Sequence, residues 1–192
     1  MSIRIIAGTH RGRRLETPAG DHTRPTKGIV REAVFSALDA RGRLVGAAVL
    51  DCYAGSGALA FEALSRGAAR AVLVERDRAV RAVIARNAAM LGEERRVRVT
   101  GGDATQVVSG SPPPGSPFDL VFADPPYDLP DEAVHAFLTA LLRPGLLDPD
   151  ALVCLERPAR RAVSPPPGWA SDWERTFGDT LVAFLSISRG EA

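Results

Sequence analysis

The stretch AAVLDCYAGSGALAFEALSRG, residues Ala47 to Gly67, decides how this chain folds. Ala47 to Asp51 is an apolar run closed by an acid, which reads as a strand buried on both faces. Gly55 and Gly57 follow, where glycine lets the backbone turn tightly and come close to a ligand. The next residues have the composition of a helix, stopped by Gly67. Buried strand, glycine loop and helix in succession form the opening unit of a doubly wound α/β sheet.

Outward from this unit the same rhythm repeats. Ala71 to Glu75, Val97 to Thr100, Phe118 to Ala123, Ala151 to Glu156 and Leu181 to Ile187 read as further strands. Between them, RAVRAVIARNAAMLG sets Val80, Val83, Ile84 and Leu91 on one helical face, and Asp131 to Leu142 reads as another helix. Upstream, TKGIVREAVFSAL spaces Val30, Ala33, Val34, Ala37 and Leu38 along a helix that Thr26 is placed to cap. Ser109 to Pro117 and Ser164 to Gly168 are proline-rich and read as surface loops, with Trp169 and Trp173 as packing residues flanking a loop before the last strand.

A chain of 192 residues, 45% apolar, suits one domain with a short appendage. No apolar run reaches the roughly 18 residues of a membrane span, and the start of the chain lacks a signal-peptide pattern. A cytoplasmic location is therefore expected, with no membrane partner. Cys52 and Cys154 have no metal-ligand or disulfide spacing, so both are expected as buried small residues and no metal site is expected. The net charge of +1 is uneven. Arg4, Arg11, Arg13, Arg14, Arg24, Lys27 and Arg31 face only Glu16 and Asp21 in the first 31 residues, giving that segment +5 and the remainder −4. A basic arm on a mildly acidic body suits a polyanion such as nucleic acid, because phosphate neutralisation releases counterions.

An acid stands at or just past each strand end: Asp51, Glu75, Asp103 and Asp124. Buried acids are costly unless they bind something. Glu75 lies 18 residues beyond Gly57, where a carboxylate can accept hydrogen bonds from both hydroxyls of a ribose. The glycine loop and Glu75 thus point to an adenosine-like ligand, either a dinucleotide or S-adenosylmethionine. Asp51 favours the latter, since a carboxylate at that position welcomes an ammonium rather than a pyrophosphate.

The fourth strand ends in Asp124-Pro125-Pro126-Tyr127. An exocyclic amino group on a base is a weak nucleophile, its lone pair being delocalised into the ring. Two acceptors holding its two hydrogens turn that lone pair towards an electrophile. Asp124 supplies one acceptor and the Pro125 carbonyl the other. The prolines fix the corner and bring no competing N–H donor, and Tyr127 can stack on an extruded base.

These motifs, with IRIIAGTHRGRRL, TRPTKGIVREAVFSAL, VLVERD and GDTLVAFL, resemble the RsmD family of small-subunit ribosomal RNA methyltransferases along essentially the whole chain. The resemblance implies a class I methyltransferase sheet of seven strands, the last antiparallel. It also implies S-adenosylmethionine as donor and the 2-amino group of one guanine in 16S ribosomal RNA, within a small-subunit particle, as acceptor. Residues 1–25 then form a basic β-hairpin arm for RNA and residues 26–192 the methyltransferase domain. Asp51, Tyr53, Ala54, Gly55 and Gly57 would frame the donor. Glu75 and Arg76 would hold its ribose, Asp103 and Ala104 would approach the adenine, and Asp124, Pro125, Pro126 and Tyr127 would form the base site. Arg11, Arg13, Arg14, Arg24 and Lys27 would contact RNA. The family pattern has a short polar residue, Asp and Arg after Arg-Pro-Thr, whereas Lys27-Gly28-Ile29 stand here. Lys27 is expected to serve an anion, either RNA phosphate or the donor's carboxylate.

Rival readings stay in view. A DNA or other-RNA amino-methyltransferase would use the same four residues, although a DNA enzyme would ordinarily need a larger recognition insertion. An NAD-dependent oxidoreductase rests only on the glycine loop, and a non-catalytic RNA-binding module only on the arm. A monomer is expected.

Overall fold

The computed structural model describes residues 3–18, 25–161 and 164–188, with the side chains of residues 25 and 26 left aside. Arg24 and His22, and the capping role expected of Thr26, lie outside what is described. A two-stranded hairpin, β1 (Ile3–Arg4) and β2 (Arg14–Leu15), leads to α1 (Pro25–Ala40). There follow β3 (Ala48–Cys52), α2 (Ala58–Ser65), β4 (Arg70–Glu75), α3 (Arg78–Leu91), β5 (Val97–Gly101), α4 (Ala104–Ser109), β6 (Phe118–Ala123) and α5 (Asp131–Leu141). The chain closes with β7 (Leu147–Pro158), β8 (Trp169–Phe177) and β9 (Thr180–Ile187).

The seven-stranded sheet has the order β5-β4-β3-β6-β7-β9-β8, as the doubly wound reading requires. The first five of these run parallel, and β9 is antiparallel to both β7 and β8. Order reverses between β3, which leads out to β4, and β6, so the carboxyl ends of these strands open a crevice at the switch point. Both faces are covered. Val34, Phe35, Phe61 and Ile84 from α1, α2 and α3 bury one face, and Val108, Phe137 and Leu141 from α4 and α5 bury the other. This explains why β3 is buried at all five positions and reads as an unbroken apolar run. Cys52 and Cys154 are buried and unbridged. No helix among the described residues is long and apolar enough to cross a membrane.

Two elements depart from the sequence reading. The loop assigned around Trp169 and Trp173 is the edge strand β8, nine residues long, whose mostly exposed pattern gives no apolar run to notice. Both tryptophans do pack: Trp169 Nε1 donates to the Leu138 carbonyl at 3.0 Å, and the Trp173 ring lies 4.7 Å from that of Phe184. The short α4 is capped by Asp103, whose carboxylate accepts from Gln106 N at 3.1 Å, and six residues are too few to display a helical period.

The basic hairpin is bound to the body rather than trailing from it. Glu62, fully buried on α2, accepts from Ile6 N at 2.7 Å and Ala7 N at 3.0 Å. Ser65 donates to the Ala7 carbonyl and accepts from His10 N at 2.9 Å. Gly8 has a φ of +80°, and a Cβ there would fall 1.8 Å from the Ser65 carbonyl oxygen, so glycine is demanded at this contact. His10, in the connection between β1 and β2, places Nε2 2.6 Å from the Glu93 carboxylate.

Candidate active site

The carboxyl ends of β4, β5 and β6 surround a cleft of about 340 Å³. Lys27, Tyr53, Glu75, Arg76, Asp103, Ala104 and the whole of Asp124-Pro125-Pro126-Tyr127 line it, with Val74, Gly102 and Leu129. Ten of the residues singled out in the sequence therefore meet in one concavity.

Asp51, Ala54, Gly55 and Gly57, expected to frame the donor with Tyr53, do not line the cleft. Asp51 is within β3 and 2% exposed, and its Oδ2 accepts from Ala60 N at 3.2 Å in the first turn of α2. Burial pushes its carboxyl well above the usual range, against the Ala60 N–H and with the charges of Asp124 and Glu75 adding to the rise. Gly55 and Gly57 have φ values of 53° and 78°. A Cβ at Gly57 would lie 2.6 Å from the Phe61 ring, so packing excludes any side chain there, whereas one at Gly55 meets nothing within 4 Å. Tyr53 also takes a left-handed φ, 65°, uncommon for a bulky residue. Its ring stands edge-on to Phe137 at 5.7 Å, and burial raises its phenol to about 12, so it stays neutral.

Glu75 closes β4 with its two oxygens divided between Gly55 N at 3.1 Å and Asp77 N at 2.9 Å. Each oxygen keeps a second lone pair for a ligand hydroxyl. Asp103 faces the same side of the cleft while capping α4.

At the opposite wall, Asp124 follows β6. The Pro126 carbonyl accepts from Leu129 N at 2.9 Å and closes the turn after it. Tyr127 is half-buried, with its hydroxyl 3.1 Å from Thr180 Oγ1. Arg157, a buried guanidinium that the sequence did not single out, donates from Nη2 to the Leu129 carbonyl at 2.9 Å and to Asp131 at 2.8 Å, pinning the far end of the loop. Lys27 does meet an anion, but a different one from either expected: its Nζ lies 3.3 Å from Asp124 Oδ2. Beside them Glu156, also not singled out, is 8% exposed on β7. Burial first, and then the neighbouring Asp124 charge, raise its carboxyl to about 8.

Of the arm residues, Arg11 and Arg14 are exposed, and Arg13 is exposed with Nη2 donating to the Met90 carbonyl at 2.7 Å. Asn87 joins the arm to the glycine loop, donating to the carbonyls of Glu16 and Ser56 at 3.0 Å each.

Comparisons with known proteins agree with this geometry. A family model described as conserved hypothetical protein 95 matches residues 3–186. The ribosomal RNA small subunit methyltransferase D of Escherichia coli strain K12 is 38% identical over 190 residues, 97% of this chain and 90% of that protein. Its Haemophilus influenzae namesake is 32% identical over 185 residues, 92% of this chain and 89% of that protein. The solved structure of yhhF from Escherichia coli superposes with a TM-score of 0.83 at 35% identity, covering 98% of this chain and 99% of that one. Matched by the family model along nearly its whole length, and by these relatives end to end, the chain belongs to the conserved hypothetical protein 95 family, the RsmD family that its motifs resemble.

Proposed function

We propose that this protein methylates the exocyclic 2-amino group of one guanine in 16S ribosomal RNA, using S-adenosylmethionine, with a small-subunit particle as the natural substrate. The observation that carries the reading is the meeting of Glu75 and the Asp124–Tyr127 corner across one cleft. The relatives' names supply the substrate class, ribosomal RNA of the small subunit.

The residues present suit the donor. Glu75 retains acceptor capacity for ribose hydroxyls, and the space beside Gly55 that a Cβ would enter is open. Val74 and Ala104 offer apolar surface to an adenine, with Asp103 at its edge. Arg76 and Tyr53 complete the walls, and the cleft volume falls within the range of small-molecule sites, roughly 300 to 1,000 Å³. Bound S-adenosylmethionine supplies a methyl group on a cationic sulfur, an electrophile that requires a lone pair aligned with it.

The chain's own residues supply that alignment. Asp124 accepts one hydrogen of the guanine amine and the Pro125 carbonyl the other, which turns the nitrogen lone pair out of conjugation and towards the methyl. The prolines and the Arg157 anchor hold this corner before substrate arrives, so catalysis is orientation and electrostatics rather than covalent participation. Tyr127, fixed by Thr180, receives the flipped base on its ring face. Arg11, Arg13 and Arg14 take RNA phosphates from an arm whose position is set by Glu62. Arg24 belongs with them on sequence grounds. The division into a residues 1–25 arm and a residues 26–192 catalytic domain is one of task, since Ile5 and Leu15 of the hairpin share the body's core.

The test is incubation with radiolabelled S-adenosylmethionine and small ribosomal subunits lacking their modifications, followed by digestion to nucleosides. Label in N2-methylguanosine, lost in Asp124→Ala, is the expected result. Label confined to DNA or to another RNA would overturn the substrate assignment, and label that survives Asp124→Ala would overturn the role of the corner.

A further inference from the structure

Three carboxyl groups converge behind the base site, and the mechanism above uses one. Asp124 pairs with Lys27. Asp51 is consumed by the first turn of α2. Glu156 is left, buried on β7 with no structural hydrogen bond among the described residues that accounts for an acid there. Its placement follows from register. Ala123 of β6 faces Leu155 of β7, so the residues one step on, Asp124 just past β6 and Glu156 still within β7, stand side by side. Cys154 packs into the core on the α1 face, and alternation carries Glu156 to that same face, towards Lys27. Among the described residues, the charged and titratable groups around it are Asp124 after β6, Lys27 on α1, Asp51 on β3 and the neutral Cys154 thiol on its own strand. Its β9 neighbour Val182 is apolar. Among the described residues, one lysine thus serves a cluster that would carry up to three negative charges.

We propose that Glu156 is a positioning residue for the cationic donor: neutral in the free protein, it loses its proton to solvent when the donor's positive charge arrives, and becomes a second counter-charge beside Asp124. The inference rests on the methyltransferase reading, because methyl transfer to an amine held by Asp124 brings a sulfonium to this corner. The arrangement solves a difficulty of the free state. A permanently ionised Glu156 would stand unpaired and buried next to Asp124, whereas a neutral one leaves the Lys27–Asp124 pair undisturbed. A raised carboxyl agrees with this. The step is a simple ionisation, with the carboxyl O–H electrons staying on Glu156 and the proton passing to buffer.

Isothermal titration calorimetry tests it, with the intact protein at pH 7.5 in two buffers of different ionisation enthalpy. The ligands are S-adenosylmethionine and S-adenosylhomocysteine, which share the adenosine and the amino-acid carboxylate and ammonium and differ by one methyl group and the sulfonium charge it confers. A carboxyl titrating near 8 holds its proton in about three-quarters of molecules at pH 7.5, and a cation that eases ionisation about tenfold leaves it in about one-quarter. The expected result is about half a proton more released with S-adenosylmethionine than with S-adenosylhomocysteine, a difference that disappears in Glu156→Gln. Equal release with both ligands on the unaltered protein overturns the inference without recourse to any variant. An undiminished difference in Glu156→Gln overturns it as well. Failure of both ligands to bind overturns the methyltransferase reading itself and the inference with it.

Discussion

Glu62→Gln is the perturbation that most directly tests how the arm is built. The carboxylate is fully buried and accepts from Ile6 N, Ala7 N and Arg66 Nε. Glutamine fits the same space but offers one acceptor oxygen, and its amide nitrogen must face one of the two arm N–H groups. One charge-assisted hydrogen bond, about 1.5–3 kcal/mol, is lost, and the orphaned N–H adds about 1–3 kcal/mol less whatever water recovers. Arg66 keeps Asp39 as partner. A cost of about 3 kcal/mol, at about 2–4 °C per kcal/mol for a chain of this size, lowers Tm by roughly 6–12 °C if the arm melts with the body. If the arm opens alone, the loss appears as faster amide exchange at Ile6 and Ala7, and Tm moves little. Both routes should weaken the RNA binding proposed for Arg11, Arg13 and Arg14, while affinity for S-adenosylmethionine should hold because no cleft residue is touched. Unchanged Tm together with unchanged exchange at Ile6 and Ala7 would refute the account of Glu62 as the clamp of the arm.

Other substitutions separate fold from site. Gly57→Ala places a Cβ against Phe61 and Leu73 at a left-handed φ, and thermal unfolding should report a loss of about 2–4 kcal/mol. Gly55→Ala, with open space at the same backbone region, should cost only about 1–2 kcal/mol, and on the proposed placement of the donor it should weaken S-adenosylmethionine binding by calorimetry. Tyr127→Phe keeps the ring and loses the Thr180 contact, so RNA methylation falls slightly, whereas Tyr127→Ala removes about 1–3 kcal/mol of base stacking and shows it in kcat/KM for the particle. Glu156→Gln should flatten the pH dependence of stability. A carboxyl raised to about 8 makes the folded protein bind more protons than the unfolded chain from the ordinary carboxylate range up to about pH 8, so stability falls with rising pH across that window. Denaturant titrations at pH 5 and pH 8 should therefore differ less for the variant than for the unaltered protein.

The α/β architecture was legible because parallel strands covered on both faces leave continuous apolar runs, and helix ends leave signals such as the αL turn at Gly92. The antiparallel edge strand β8 was not, since its exposed positions break any run and its tryptophans pack singly. In the site, Glu75 and the Asp124 corner could be read because each stands at a strand end beside distinctive neighbours, and local sequence fixes where a strand end points. Contacts formed between distant segments leave no local mark. Glu62 looks like any acid on a helix until the hairpin folds onto it from 56 residues away, and Lys27 meets Asp124 across 97.

Lys27 shows how a departure from a family pattern acquires meaning only in three dimensions. A cation in the first turn of a helix opposes the helix dipole and, with Gly28 beside it, weakens the start of α1. Its charge is spent at Asp124, where Asp51 and Glu156 crowd two more carboxyls against the same point. At 48% exposure for Lys27 and 26% for Asp124, the pair contributes little to folding, about 0–1 kcal/mol. Its effect falls instead on the acid's readiness. Under the proposed mechanism, a guanine amine that approaches Asp124 must share Oδ2 with Lys27 or displace it. The sequence led to the expectation of an RNA phosphate or the donor's carboxylate beside Lys27, and the fold instead gives it a carboxylate of its own chain.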